Sequence, residues 1–88
     1  MTFDPYQVVL TPVVTEKTMT MMERENKIEF RVRVSATKSQ IRHAIETMFS
    51  VKVKHVNTRV TMTGEKHATV AFPAGVSAEE IGQRIGIF

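Results

Sequence analysis

Lys27-Ile28-Glu29-Phe30-Arg31-Val32-Arg33-Val34 alternates without a break. Ile28, Phe30, Val32 and Val34 fall on one side, and Lys27, Glu29, Arg31 and Arg33 on the other. A period of two is the signature of a strand with one buried and one solvated face. Directly after it, Thr37-Lys38-Ser39-Gln40 reads as a capping box with Gln in its third helical position. Ile41, Ala44, Ile45, Met48 and Phe49 then recur at helical spacing, with Lys38, Arg42 and Glu46 on the outer face. An amphipathic helix following a half-apolar strand must bury its stripe against that strand's sheet.

Working outward, residues 51–61 read as the next strand. Val51 and Val53 share one parity, while Val56, Val60 and Met62 take the other. The phase slips near Lys54-His55, which predicts a bulge or bend there. Thr63-Gly64-Glu65 is a short hairpin turn, and residues 66–72 return with Ala68, Val70 and Phe72 on one face. Toward the N-terminus, Gln7-Val8-Val9-Leu10 predicts a short strand. Thr15 is an N-cap for a helix over 16–24 that turns Met19 and Met22 inward and ends at Asn26, with Val14 and Met19 spaced as a hydrophobic staple. Toward the C-terminus, Ser77-Ala78-Glu79-Glu80 is a further capping box, stapled by Val76 and Ile81. Ile81, Ile85 and Phe88 would line the inner face of that helix, with Gly86 as its C-cap.

The strand–helix–strand crossover makes strands 27–34 and 51–61 parallel. The hairpin strand 66–72 fits most simply between them. The expected fold class is α+β: a small two- or three-layer sandwich built on a split β-α-β sheet of three main strands, plus a short N-terminal strand and three helices. Eighty-eight residues without a Gly/Ser-rich linker make one domain, 1–88.

Apolar residues make up 42 % of the chain, and the net charge is +3 with a pI near 9.6. There is no cysteine, which excludes a disulfide scaffold, thiolate metal sites and Cys nucleophiles. No apolar run approaches the roughly 18 residues of a membrane span. The N-terminus lacks the basic and apolar regions of a signal peptide, so a soluble intracellular protein with no membrane insertion is expected. Residues 31–67 carry eight bases (Arg31, Arg33, Lys38, Arg42, Lys52, Lys54, Arg59, Lys66) against Glu46 and Glu65, while both flanks are mildly acidic. Such a one-sided field suits a polyanion.

Catalytic chemistry finds no foothold. His43, His55 and His67 fall on a helix and two strands with no metal-ligand spacing, and Glu79-Glu80 are first-turn helix acids. No Gly-rich phosphate loop is present. An acyl-phosphate hydrolase on a similar sandwich would need one. No enzyme activity, metal or cofactor is therefore expected. The segment Val51–Arg59 is more informative: Lys52, Lys54, Asn57 and Arg59 alternate with valines, and such bases meet phosphates while Asn bonds a base edge or a 2′-hydroxyl. A solvated strand face and a small ligand-sensing regulatory dimer remain the alternatives.

The chain resembles the large-subunit ribosomal protein twenty-three family over nearly its whole length. The resemblance lies in Pro12-Val13-Val14-Thr15-Glu16-Lys17, in Ala36-Thr37-Lys38, in Phe49-Ser50-Val51-Lys52-Val53 leading to Val56-Asn57-Thr58, and in Gly64-Glu65-Lys66-His67-Ala68-Thr69-Val70, which is similar to the family's Gly-x-Lys-Lys-Ala-x-Val pattern. The ending Ile85-Gly86-Ile87-Phe88 is similar to the archaeal branch. The resemblance implies a compact α/β sandwich in the cytoplasmic large ribosomal subunit, at the polypeptide exit tunnel. It implies binding to large-subunit rRNA, with ribosomal protein twenty-nine as a neighbour, and a docking surface for the signal recognition particle or other nascent-chain factors. On that basis Thr37, Lys38, Lys52, Lys54, Asn57, Arg59 and Lys66 are the candidate rRNA-binding residues. Glu16 and Lys17, which match the family's Ser/Thr-Glu-Lys motif, are the candidates for factor docking. The link Thr63-Gly64-Glu65 departs from the long basic loop of bacterial members, so tunnel-lining contacts are not carried over. A monomer is expected in isolation.

Overall fold

A computed structural model describes residues 4–86. Four strands form one antiparallel sheet: β1 (Val9–Pro12), β2 (Lys27–Val32), β3 (His55–Val60) and β4 (Lys66–Ala71), in the order β1-β2-β4-β3. β4 lies between β2 and β3, which are therefore parallel to each other, as the crossover rule and the hairpin require. Four helices complete the fold: α1 (Pro5–Val8), α2 (Glu16–Glu25), α3 (Lys38–Phe49) and α4 (Ala78–Arg84).

All of the main helices bury their stripes on the same side of the sheet. Ile28, Phe30 and Val32 of β2, Val56 of β3, and Ala68 and Val70 of β4 form one cluster with Met22, Ile41, Ala44, Ile45, Phe49, Ala78 and Ile81. Phe30, Ile41, Ile45, Val32 and Val70 are the largest fully buried side chains, each stabilising the fold by roughly 1.5–3 kcal/mol relative to exposure. The fold is thus a two-layer sandwich, and α4 belongs to the helical layer.

The local signals act as expected at most helix starts. Thr37 Oγ1 accepts from Gln40 N–H at 3.2 Å, and Thr37 N–H donates to Gln40 Oε1 at 2.9 Å. Thr15 forms a reciprocal box with Thr18, while Ser77 forms only the N-cap half of the expected box, accepting from Glu80 N–H at 3.2 Å. α2 ends at Asn26, whose φ of 56° is left-handed. Its side chain binds the loop before α4: Nδ2 donates to the carbonyls of Phe72, Pro73 and Val76, and Oδ1 accepts from Ala78 N–H at 2.8 Å. The α3 C-terminus is held by Arg84, which donates to Phe49 O at 3.2 Å and lies over the Phe49 ring.

Several expectations need correction. A fourth helix, α1, occupies part of the expected first strand, which begins at Val9 and not at Gln7. Asp4 Oδ1 accepts from Tyr6 N–H at 3.0 Å and Pro5 takes the first helical position, so this turn is capped even though it is short. β2 ends at Val32, leaving Val34 59 % exposed. β3 begins at His55 and not at Val51. The stretch before it is tied to α3 instead of a strand, because Val53 N–H donates to Glu46 Oε2 at 3.0 Å and Val53 O accepts from Arg42. The phase slip is real: Lys54 N–H donates to Ala71 O at 2.7 Å while His55 is the register partner of Ala71, so two residues face one. Val60 and Met62, which share the parity of buried Val56, lie beyond the helical layer and are exposed, as is Val14 of the expected staple. Thr61 N–H bonds Glu65 O at 2.7 Å, closing a three-residue hairpin loop in which Gly64 has φ of 87°. Gly86 is also left-handed and follows the C-cap, Ile85. Phe88 lies outside the described residues.

Candidate nucleic-acid interface

The side chains of a strand alternate between the two faces. Because the helical layer takes Ile28, Phe30 and Val32, the residues between them project from the opposite face. The register aligns these residues into rows across three strands. Arg31 faces His67, which faces Arg59; Glu29 faces Thr69, which faces Asn57; Lys27 faces Ala71, which faces His55. The β1 bulge between Val9 and Thr11 brings Thr11 to the end of the first row, where its Oγ1 accepts from Arg31 Nε at 3.3 Å.

The charged groups on this face are ordered by one another. Glu29 Oε2 accepts from Arg59 Nη2 at 3.1 Å and lies 3.0 Å from His67 Nδ1. A carboxylate only accepts, so the His67 proton in this contact sits on Nδ1. Arg31 Nε lies 3.8 Å from Glu65 Oε2, and Lys27 Nζ 3.4 Å from Glu25 Oε1. The Glu29 side chain is 5 % exposed, whereas Arg59 is 61 % exposed. Among the described residues no buried side-chain nitrogen or oxygen lacks a partner. The face is a shallow platform carrying Lys27, Arg31 and Arg59 with amide, hydroxyl and imidazole groups between them, a combination suited to phosphates and ribose hydroxyls.

Of the residues singled out from the sequence, Asn57 and Arg59 lie on this face. Lys52 and Lys54 are exposed on the connection leading into β3. Thr37 and Lys38 open α3, where Lys38, Arg42 and His55 border a shallow groove between α3 and β3. The Thr37 hydroxyl is engaged in its cap. These basic residues flank the same sheet edge. Lys66 does not join them: it has the parity of Ala68 and Val70, and its Nζ donates to Ala36 O at 2.7 Å, tying β4 to the turn before α3. Glu16 and Lys17 begin α2 in the helical layer, where with Thr20, Met21 and Glu25 they line a shallow exposed depression. The two candidate surfaces belong to different layers and adjoin where Glu25 of the depression meets Lys27 of the sheet face at 3.4 Å.

Sequence reasoning missed Arg31, His67 and the buried Glu29. The expected turn Thr63-Gly64-Glu65, centred on Gly64, would set Arg59 opposite Thr69; the observed register is centred on Thr63 and sets Arg59 opposite His67, with Arg31 on the other side of His67.

Residues 7–79 match the family described as ribosomal protein L23. The chain belongs to that family. It is 42 % identical over 85 residues to large ribosomal subunit protein uL23 of Methanothermobacter thermautotrophicus, covering 97 % of this chain and 99 % of that one. It is 49 % identical over 80 residues to the uL23 protein of Picrophilus torridus, covering 91 % and 96 %, and 44 % identical over 85 residues to that of Methanosphaera stadtmanae, covering 97 % and 99 %. All three relatives are archaeal. The L23 family is structural and non-enzymatic. No group of three or more His, Cys, Asp and Glu among the described residues could hold a metal ion. No helix among them is long and apolar enough to cross a membrane.

Proposed function

We propose that the helix-free face of the sheet, with the basic flank at β3, docks this protein onto large-subunit rRNA near the polypeptide exit tunnel. The coarser assignment follows from the family: the chain is a structural constituent of the large ribosomal subunit, in the cytoplasm. The observation that carries the finer reading is the cross-strand row Arg31–His67–Arg59 on the sheet face away from the helical layer, with Arg59 exposed and Arg31 and His67 half-buried. Lys27, Arg31 and Arg59 on the platform, and Lys38, Lys52 and Lys54 on the flank, neutralise phosphates. Asn57 supplies a hydrogen bond to a base edge or a 2′-hydroxyl. Thr37 acts through α3, holding the helix start that presents Lys38. Lys66 acts as a structural tie.

Glu16 and Lys17, at the start of α2, form the surface for the signal recognition particle or other nascent-chain factors. Ribosomal protein twenty-nine is the proposed protein neighbour. The isolated chain is a monomer, and docking stabilises its fold by linkage.

The test is binding to its own large-subunit rRNA and to an unrelated structured RNA across a salt series. If Lys27, Arg31, Arg59, Lys38, Lys52 and Lys54 each neutralise one phosphate, log K falls against log salt with a slope of about −5. Arg31→Ala combined with Arg59→Ala flattens that slope by about 1.5. Glu16→Arg leaves rRNA binding unchanged and lowers recruitment of the signal recognition particle to ribosomes. Equal, weak binding to both RNAs, or a slope indifferent to the two arginines, contradicts the docking face. Unimpaired recruitment contradicts the role of Glu16.

A further inference from the structure

Glu29 is a carboxylate at the centre of the face proposed to meet a polyanion. By charge alone it is unfavourable there, since it repels every phosphate brought near the platform. Its placement is nevertheless well determined. It is 4 % exposed, and one oxygen receives both Arg59 Nη2 at 3.1 Å and His67 Nδ1 at 3.0 Å. Its two partners come from different strands, β3 and β4, so a single acid fixes side chains across three strands.

We infer that Glu29 is a positioning residue for RNA docking, holding the Arg59 guanidinium and the His67 imidazole in the arrangement that the RNA meets. The inference rests on the reading of the bare face as the rRNA surface. Arg59 springs from an edge strand and is 61 % exposed. A free arginine there samples many rotamers and loses that freedom on binding. Anchored through one Nη2, the planar group is already oriented, and the other donors of its fork remain available for a phosphate. The same contact sets which ring nitrogen of His67 carries the proton and therefore the orientation of the ring. Glu29 thus contributes selectivity for a particular arrangement of phosphates, although it lowers the total positive charge.

The two views of Glu29 predict opposite signs. If only charge counts, Glu29→Gln tightens binding to any RNA. If Glu29 positions, Glu29→Gln weakens binding to the protein's own rRNA while binding to an unrelated structured RNA holds or rises. The experiment measures both affinities at one salt concentration for the wild type, Glu29→Gln, Arg59→Ala, the double variant and Arg31→Ala, with thermal unfolding of each in parallel. Glu29→Gln is expected to lose about tenfold in affinity for the cognate RNA, and to lose less than that when Arg59 is already Ala, since only the His67 contact then remains to be lost. Equal or tighter cognate binding by Glu29→Gln, while Arg31→Ala and Arg59→Ala weaken it, overturns the inference and leaves the docking face standing. Unchanged binding in both arginine variants overturns the docking face and the role of Glu29 with it. If Glu29→Gln fails to fold, Arg59→Lys decides: it keeps the charge and loses the planar fork, so a comparable loss of selectivity supports the inference and full retention overturns it.

Discussion

Phe30 and Glu29 are neighbours in β2 and both are buried, at 1 % and 4 % exposure, yet they are buried by different means. Phe30 enters a continuous apolar cluster under the helical layer. Glu29 points the other way, onto a face without helices, and is covered by the side chains it binds, Arg59 and His67. The first kind of burial is driven by removing apolar surface from water and holds no charge for salt to screen. The second removes a charge from water and is offset only by hydrogen bonds and opposite charge. One face of the sheet therefore holds the fold together, while the other holds a set of charged groups in a defined arrangement.

The largest test of that contrast is Phe30→Ala. It leaves a cavity between sheet and helices and should cost about 3–5 kcal/mol, read as a lowered denaturant midpoint. A loss as small as that of an exposed substitution would break the comparison. A smaller effect sharpens it at the boundary between the faces. Lys66→Ala removes the bond to Ala36 O and should cost about 1 kcal/mol in the same assay. Its salt slope for rRNA binding should match the wild type, whereas a slope flattened as much as by Arg59→Ala would place Lys66 among the phosphate ligands.

Much of this architecture was legible in the sequence. The unbroken alternation of β2, the Thr37 capping box and the short turn at Gly64 determine the crossover and the hairpin, and with them the β2-β4-β3 order. Propensity alone misplaced the elements whose ends depend on tertiary bonds. Val51 and Val53 look like strand residues, but Arg42 and Glu46 bind the Val53 backbone from α3, so the ladder starts only at the Lys54-His55 bulge. α1 was hidden because four residues carry no helical period, although Asp4-Pro5 is itself a start signal.

The proposed interface could be read in part, through Asn57, Arg59 and the lysines beside β3. Its centre was not, because charged residues at alternating positions look solvated in any single strand. Only the register shows that Glu29 meets Arg59 and His67, 30 and 38 residues away. Lys66 carries a similar lesson: the basic segment is contiguous in sequence, but the pleat turns this one residue to the helical side.

The central claim is that the helix-free face meets the RNA. The most direct measurement is a nuclear magnetic resonance titration of the isotope-labelled protein with its large-subunit rRNA fragment, following each backbone amide. The largest perturbations are expected at Arg31, Asn57, Arg59, His67 and Thr69, with Lys54 and Lys38 at the margin, and little change along the outer surface of α2 at Thr20. Perturbations centred on α2 or on the outer face of α3, with the rows across β2, β4 and β3 unmoved, would contradict it.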